Sequence, residues 1–172
     1  VHPQLCVDAT CGNGGDTAFL CGLTAPAGRV LAFDVQPEAI RSTRARLEQA
    51  NVPAERYSLI CGSHADLLQY VQPDTADAVM FNFGWLPGAA HDVHSTADST
   101  LPALQAGLDA LKPGGVLACE LHEGHMDAAR AVAEAMGADK LIFLTDTDGI
   151  LVDSHNQSTR IARMDVARAK EL

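Results

Sequence analysis

Residue types that bind small ligands lie close together near the start of the chain. Asp8 follows the apolar run of residues 5–7. Four positions later comes a glycine-rich turn, Gly12-Asn13-Gly14-Gly15, which leads into Asp16-Thr17 and a second apolar run. This order predicts a strand, an acid, a tight turn and a helix. Glycine lets a ligand approach the backbone, and a helix start offers unpaired N–H groups. The stretch is therefore a candidate cofactor site, with an ordinary strand-to-helix turn as the alternative.

Two classes of cofactor site use a turn of this kind. A dinucleotide site requires G-x-G-x-x-G, and Thr17 stands where the third glycine would be. An acid, three residues and then G-x-G is the pattern of S-adenosylmethionine (SAM) sites in class I methyltransferases, which Asp8, Gly12 and Gly14 resemble. A carboxylate at the strand end suits an ammonium group and repels a pyrophosphate. SAM is favoured over NAD.

Composition limits the other function classes. At 172 residues, the sequence predicts one domain spanning residues 1–172, with a blurred pattern over residues 137–172. The formal net charge of −10 argues against broad phosphate-driven binding. A nucleic acid would need a local basic patch or a second subunit, as in a homodimer. Five scattered cysteines lack C-x-x-C spacing, which predicts a reducing cytoplasm and no zinc, and four of them sit in or beside apolar stretches, which predicts core packing. No apolar run approaches the roughly 20 residues that span a bilayer, so no membrane partner is expected.

Strand and helix patterns alternate along most of the chain. Strands are predicted at residues 5–7, 30–33, 57–61, 77–83, 116–121 and 140–145, with two short ones at 150–152 and 159–164. Helices are predicted after the glycine turn, from Pro37, over residues 101–111 and over residues 126–136, with residues 112–115 ending the third helix. This alternation favours an α/β fold with a doubly wound, mostly parallel, seven-stranded Rossmann-like sheet and helices on both faces.

Polar residues at strand ends are the next candidates, because ligands of open α/β sheets lie at the carboxyl ends of strands. Asp34, at the second strand end, is placed to take both hydroxyls of a ribose. Ser63 and His64 follow the third strand and could flank an adenine, or cap a helix. Asn82 ends a buried strand and either ties down the loop or touches substrate. Trp85, in the next loop, stacks on a ring or packs the loop.

Histidines near these strands raise the question of a metal. His91 and His94 are three residues apart, but the sequence suggests no third ligand near them. No metal is therefore predicted.

Two motifs together resemble one bacterial subfamily of class I SAM-dependent methyltransferases, the rRNA methylase group. They are DAT-x-GNG-x-DT at residues 8–17 and N-x-G-x-LPG-x-x-H at residues 82–91, joined by the strand end at residues 32–36. Members of that group methylate the 5-aminomethyl-2-thiouridine of the tRNA wobble position. The resemblance implies SAM as the cofactor and tRNA as the partner.

The resemblance also implies roles for individual residues. The cofactor site would comprise Asp8, Gly12, Asn13, Gly14, Asp16 and Thr17 around the methionine part, Asp34 and Gln36 at the ribose, and Ser63 and His64 at the adenine. The acceptor side would comprise Asn82 and His91 as catalytic candidates, with Trp85, Leu86, Pro87 and His125 binding substrate.

A second, local resemblance lies in residues 137–152, GADKLIFLTDTDGILV, which are similar to the nucleotide-binding segment of amino-acid kinases such as acetylglutamate kinase. Either convergence on a strand-turn-strand or a mixed sequence, joined from parts of two families, would explain this similarity.

Three functional alternatives to tRNA methylation also stay open. They are a small-molecule methyltransferase, which the net charge favours, a non-catalytic SAM- or nucleotide-binding module, and an NAD-binding domain.

Overall fold

A computed structural model describes residues 2–83, 97–121, 150–151, 156, 158 and 160–161. The internal contacts of the chain divide it into two compact units, Val1–Gly137 and Ala138–Leu172, and each unit is described by itself.

The first unit contains a five-stranded parallel sheet in the order β3-β2-β1-β4-β5. Its strands are β1 (Leu5–Asp8), β2 (Arg29–Asp34), β3 (Tyr57–Cys61), β4 (Ala76–Phe83) and β5 (Leu111–Leu121). Its helices are α1 (Gly15–Leu23), α2 (Pro37–Gln49) and α3 (Ala97–Ala110), with 3₁₀ turns at Ala54–Arg56 and His64–Gln69. The strand order reverses between β1 and β4, which makes their boundary the topological switch point. The predicted α/β class with a parallel, doubly wound sheet is confirmed.

The second unit contains a short antiparallel pair, β6 (Ile150–Leu151) with β7 (Arg160–Ile161). Strands were predicted at both places. Among the described residues these two strands pair with each other, and a single seven-stranded sheet stays a prediction. The predicted helix at residues 126–136 and the predicted strand at 140–145 lie outside the described residues.

Side chains of the parallel sheet alternate between two apolar clusters, because successive residues of a strand point to opposite faces. Val7 of β1 belongs to a cluster that includes Phe81 and Leu104, on the face covered by α3. Its neighbour Cys6 belongs to a second cluster with Leu20 of α1 and Leu47 of α2. Helices therefore cover both faces, as the sequence predicted.

The boundary between α3 and β5 differs from the prediction. Residues 112–115 were expected to end the helix, and the helix does end at Ala110, but the strand starts at Leu111 and not at the predicted Val116. Lys112 is paired with Asp77, whose carboxylate also accepts the Leu5 N–H at 2.9 Å. A register shift between Ala76 and Ala78 accommodates the Pro-Gly-Gly sequence within the strand pair.

The cysteines differ in burial from the expected pattern. Cys6, Cys11 and Cys21 are buried, as predicted for core residues, whereas Cys61 and Cys119 are exposed. The two exposed cysteines lie on β3 and β5, which each have a neighbouring strand on only one side within the described part of the sheet. Their apolar surroundings in the sequence therefore did not ensure burial.

None of the described helices matches the thickness of a bilayer in both length and apolarity. Within residues 2–83 and 97–121, and the few described residues beyond them, no helix has the length and apolarity to cross a membrane.

Arg56 holds together the connection between α1 and β2. Its Nη2 donates to the carbonyls of Cys21 and Thr24, at 3.0 and 3.2 Å, and to the Thr24 hydroxyl at 2.6 Å. Its Nε donates to the Gly28 carbonyl at 2.9 Å. One guanidinium thus satisfies carbonyls at the end of α1 that have no partner within the helix. A lysine could not make this forked set of contacts.

Replacing Arg56 should destabilise the fold without touching the sheet edge described below. We expect Arg56→Ala to lower the free energy of unfolding by about 1.5–3 kcal/mol, because charge-assisted hydrogen bonds are lost. Arg56→Lys should recover only part of this loss. Urea unfolding measures the difference, and Arg44→Ala, at an exposed position of α2, is the control. Equal stabilities for the Arg56 and Arg44 variants would contradict this account.

Candidate functional site

The carboxyl ends of β1, β2, β4 and β5 place four polar side chains on one face of the sheet. Asp8 is paired with Ala32 of β2 and with Met80 of β4. Asp34 and Asn82 lie two residues beyond those partners and therefore point to the same face as Asp8. Glu120 is paired with Asn82. Asp34 and Asn82 lie on β2 and β4, on either side of the end of β1. Since neighbouring strands are about 4.8 Å apart, β2 and β4 are separated by about 10 Å.

Asp8 is buried behind the turn, with only 1% of its surface exposed. Its Oδ2 accepts the Thr17 hydroxyl at 2.5 Å, and its Oδ1 accepts the Thr10 N–H at 3.2 Å. Burial raises the pKa of Asp8 to about 6, although these hydrogen bonds oppose the shift. The carboxylate thus connects β1 to α1, and direct contact between Asp8 and a cofactor stays a prediction.

The glycine turn is held from the side by α2. Thr43 Oγ1 donates to the Gly12 carbonyl at 3.1 Å, and Arg46 Nε donates to the Asn13 carbonyl at 2.6 Å. Gly14 has a φ of 77°, and a Cβ there would lie 2.8 Å from Thr43 Cα. Both the backbone conformation and the close approach of α2 therefore require glycine at this position.

Asp34 joins the turn to the start of α2. Its Oδ2 accepts the Gly12 N–H at 3.0 Å, and its Oδ1 accepts the Gln36 N–H at 2.9 Å. A carboxylate offers about four acceptor positions, so about two remain for a ligand. Val35, directly after Asp34, is 50% exposed and offers an apolar surface beside this carboxylate. The sequence identified Asp34, whose contact with a ribose stays a prediction, but it did not single out Val35.

Ser63 and His64, the predicted adenine residues, face different surroundings. Ser63 caps the 3₁₀ turn, because its Oγ accepts the Ala65 N–H at 3.2 Å. The His64 ring packs edge-on against Phe81 and Phe83, and its Nε2 is buried without a hydrogen-bond partner. Burial lowers the pKa of His64, which favours the neutral ring. Their contact with an adenine stays a prediction.

Asn82 connects three strands at the switch point. Its backbone N–H donates to Thr10 Oγ1 at 2.6 Å, and its side-chain Nδ2 donates to Glu120 Oε2 at 3.1 Å. Sequence analysis identified Asn82 but not Thr10 or Glu120. The signal for Glu120 was present, since an acid near the end of a mostly apolar strand is as unusual as the amide.

The remaining predicted residues divide into two groups. Asn13 is exposed, and Asp16 and Gln36 are half-buried at the starts of α1 and α2. Trp85, Leu86, Pro87, His91 and His125 lie outside the described residues. The part of the chain that the structure describes has no group of three or more His, Cys, Asp or Glu side chains able to hold a metal.

The turn can be tested by two adjacent glycine substitutions. We expect Gly14→Ala to lower the free energy of unfolding by about 1–3 kcal/mol, because it forces a side chain into a left-handed conformation against α2. Gly15→Ala is the matched control, since nothing lies within 4 Å of a Cβ there. It should leave stability unchanged or raise it slightly, as alanine is the better helix former. Chemical denaturation of both variants measures the contrast, and equal losses would refute it.

Asp8 should make stability depend on pH. Its folded pKa of about 6 lies above the ordinary value of 3.8, so the folded state keeps this proton longer than the unfolded state. The resulting stabilisation is fully present below pH 3.8 and is lost as pH rises through about 6. Asp8→Asn lacks this titration. Relative to Asp8→Asn, wild type should lose up to about 3 kcal/mol between pH 4 and 7, measured by denaturant unfolding.

Thr17→Val provides a second measurement of the same effect. It removes the hydrogen bond that favours the ionised form of Asp8, so the loss of stability should continue to a higher pH and be larger than in wild type. Parallel pH profiles for wild type and Asp8→Asn would show that Asp8 titrates normally.

Comparison with known proteins gives a family for most of the chain. The family described as "Putative rRNA methylase" matches residues 30–139. The chloroplastic tRNA (mnm(5)s(2)U34)-methyltransferase of Arabidopsis thaliana is 36% identical over 148 residues, which cover 77% of this chain and 52% of the plant protein. The chain thus spans about half the length of this curated relative.

Acetylglutamate kinases match a much shorter part of the chain. The enzyme from Nostoc punctiforme is 54% identical over 44 residues, which cover 26% of this chain and 15% of the kinase. Identity at that level over 44 residues favours a mixed sequence over convergence as the reason for the second resemblance.

Solved structures agree with the larger match. The protein from Clostridium thermocellum described as a "putative rRNA-methylase" superimposes with a TM-score of 0.69 at 34% identity, covering 80% of this chain and 74% of its own. The protein from Streptococcus mutans described as a "putative methyltransferase", in complex with SAH, gives a TM-score of 0.67 at 35% identity, with coverages of 81% and 74%. The chain therefore belongs to the rRNA methylase family, as its two motifs predicted.

Proposed function

We propose that the chain is a SAM-dependent methyltransferase whose acceptor is an amine nitrogen, the 5-aminomethyl group of a wobble 2-thiouridine in tRNA. The observation that carries the proposal is the clamped glycine turn beside Asp34, in a chain 35% identical to a methyltransferase that binds SAH. The acceptor is taken from the plant relative, whose name specifies a tRNA (mnm(5)s(2)U34)-methyltransferase.

The residues at the sheet edge fit the cofactor. The two acceptor positions left on Asp34 match the two hydroxyls of a ribose, and exposed Val35 offers a flat ring an apolar surface. The backbone of the turn lies beside them, and α2 holds it in place through the Gly12 and Asn13 carbonyls. Asp8 would act mainly by fixing the turn and α1. The carboxylate that favours SAM over a dinucleotide is thus a buried acid and not an exposed one.

Methyl transfer depends mostly on positioning. Bound SAM would supply an electrophilic methyl carbon on its sulfonium, and the thioether of S-adenosylhomocysteine would be the leaving group when the acceptor nitrogen takes that methyl. Our proposal gives the chain three tasks: holding the nitrogen near that carbon, keeping it neutral and accepting its proton. Asn82 lies at the switch point, where it can accept an N–H from the acceptor. His91 is the proposed proton acceptor, directly or through a water.

The net charge of −10 bears on the partner. It disfavours broad contact with phosphates, so tRNA binding would depend on a local basic patch or on a second subunit in a homodimer. A small-molecule amine acceptor is the second candidate, because this charge favours it. A cytoplasmic location remains part of the proposal.

The deciding experiment uses the full chain with SAM and bulk tRNA that lacks the final methyl group. Mass spectrometry of the nucleosides should show 5-methylaminomethyl-2-thiouridine replacing the 5-aminomethyl form. Methylation of small amines alone would favour the second candidate. If SAH raises the melting temperature but no acceptor is methylated, the chain is a binding module and not an enzyme. If only NAD raises the melting temperature, SAM is not the cofactor.

His91 can be separated from the cofactor residues by one substitution. His91→Ala should lower turnover by about 10²–10⁴-fold, the usual size of general base catalysis, while calorimetry gives an SAH affinity close to wild type. A large loss of SAH affinity in this variant would assign His91 to the cofactor site instead.

A further inference from the structure

Asn82 and Glu120 form a side-chain pair across the ends of β4 and β5. Asn82 Nδ2 donates to Glu120 Oε2 at 3.1 Å, and the two residues are direct partners in the parallel ladder. Both point to the face that carries Asp8 and Asp34, beside the switch point. Glu120 is exposed and Asn82 is half-buried, so the pair lies at the rim of the proposed acceptor side.

We propose that Glu120 is a positioning residue that fixes the orientation of the Asn82 carboxamide. An ionised carboxylate accepts hydrogen bonds and donates none, so the amide group that faces it is the NH₂. The amide oxygen Oδ1 is thereby left as the atom that can face an acceptor. Without a charged neighbour, the two amide orientations differ little in energy, because this torsion is broad and nearly two-fold.

The backbone of Asn82 is already fixed. Its N–H donates to Thr10 Oγ1 at 2.6 Å, and Phe83 after it pairs with Leu121 in the ladder between β4 and β5. The freedom that remains lies in the side-chain torsions, and the amide torsion decides whether the oxygen or the NH₂ faces Glu120. Glu120 selects between its two states.

This selection defines the acceptor chemistry of the site. An oxygen presented to the substrate accepts an N–H from an amine and so orients the nitrogen lone pair. The same oxygen repels a carboxylate, which brings no donor. The inference rests on the proposed function, since amide orientation matters to turnover only if a nitrogen acceptor binds at Asn82.

Glu120→Gln is the sharpest variant, because glutamine keeps the size of the side chain but can either accept or donate. The orientation of the amide is then no longer selected. We expect kcat for the amine acceptor to fall about tenfold, the size of an ordinary hydrogen bond, with KM for SAM and the SAH dissociation constant within about twofold of wild type. Glu55→Gln, on an exposed 3₁₀ turn, should change none of these values.

A double-mutant cycle separates positioning from general destabilisation. In an Asn82→Ala background Glu120 has no amide to orient, so adding Glu120→Gln should cause no further loss of kcat. Equal losses in both backgrounds would overturn the inference, because Glu120 would then act independently of Asn82.

A measurement independent of activity completes the test. The Asn82 side-chain NH₂ signal in a ¹⁵N-correlated NMR spectrum, identified by its loss in Asn82→Ala, should shift in Glu120→Gln but not in Glu55→Gln. An unchanged signal overturns the pairing. If wild type methylates the amine and Glu120→Gln does so equally fast, the positioning role is wrong while the proposed function stands. If wild type methylates no amine, the proposed function fails, together with the acceptor role of Oδ1.

Discussion

A buried carboxylate is the constraint on which the sheet edge depends. Asp8 has almost no contact with solvent and bonds to Thr17 on α1 and to the backbone of Thr10. Burying an acid in this way is unfavourable unless its oxygens are satisfied, and the raised pKa reflects the remaining cost. In return the start of α1 is fixed relative to the end of β1. The glycine turn between them therefore has two fixed ends.

The turn is also fixed along its length. Asp34 accepts the Gly12 N–H, while Thr43 donates to the Gly12 carbonyl. The peptide groups of the turn are thus held by β2 on one side and α2 on the other. A ligand that binds here meets a backbone that has already lost its conformational freedom, so the entropic cost of ordering the turn falls on folding and not on binding. Gly14 is required because α2 approaches too closely for any side chain.

Much of this arrangement could be predicted from sequence, because the relevant patterns are local. The acid-turn-helix order identified Asp8 and Gly14, and the strand end identified Asp34, each within a few residues of chain. Long-range partners gave no such signal. Thr43 and Arg46 looked like ordinary residues of α2, and only the fold brings them to the turn. The early start of β5 at Leu111 gave no signal either, since residues 112–115 have no partners in the ladder and Lys112 meets Asp77 only through the fold.

The charges at the sheet edge also bear on what can bind there. Asp34 and Glu120 both present carboxylates on the face that holds the turn, on opposite sides of β1 and β4. Such an edge attracts a positively charged or hydrogen-donating group and repels phosphate. A sulfonium cofactor and an amine acceptor both fit that field, whereas the phosphates of a polynucleotide do not. For a tRNA substrate, the favourable phosphate contacts would have to come from outside this edge. The wobble base would then enter a site whose carboxylates favour the amine of the base over a phosphate.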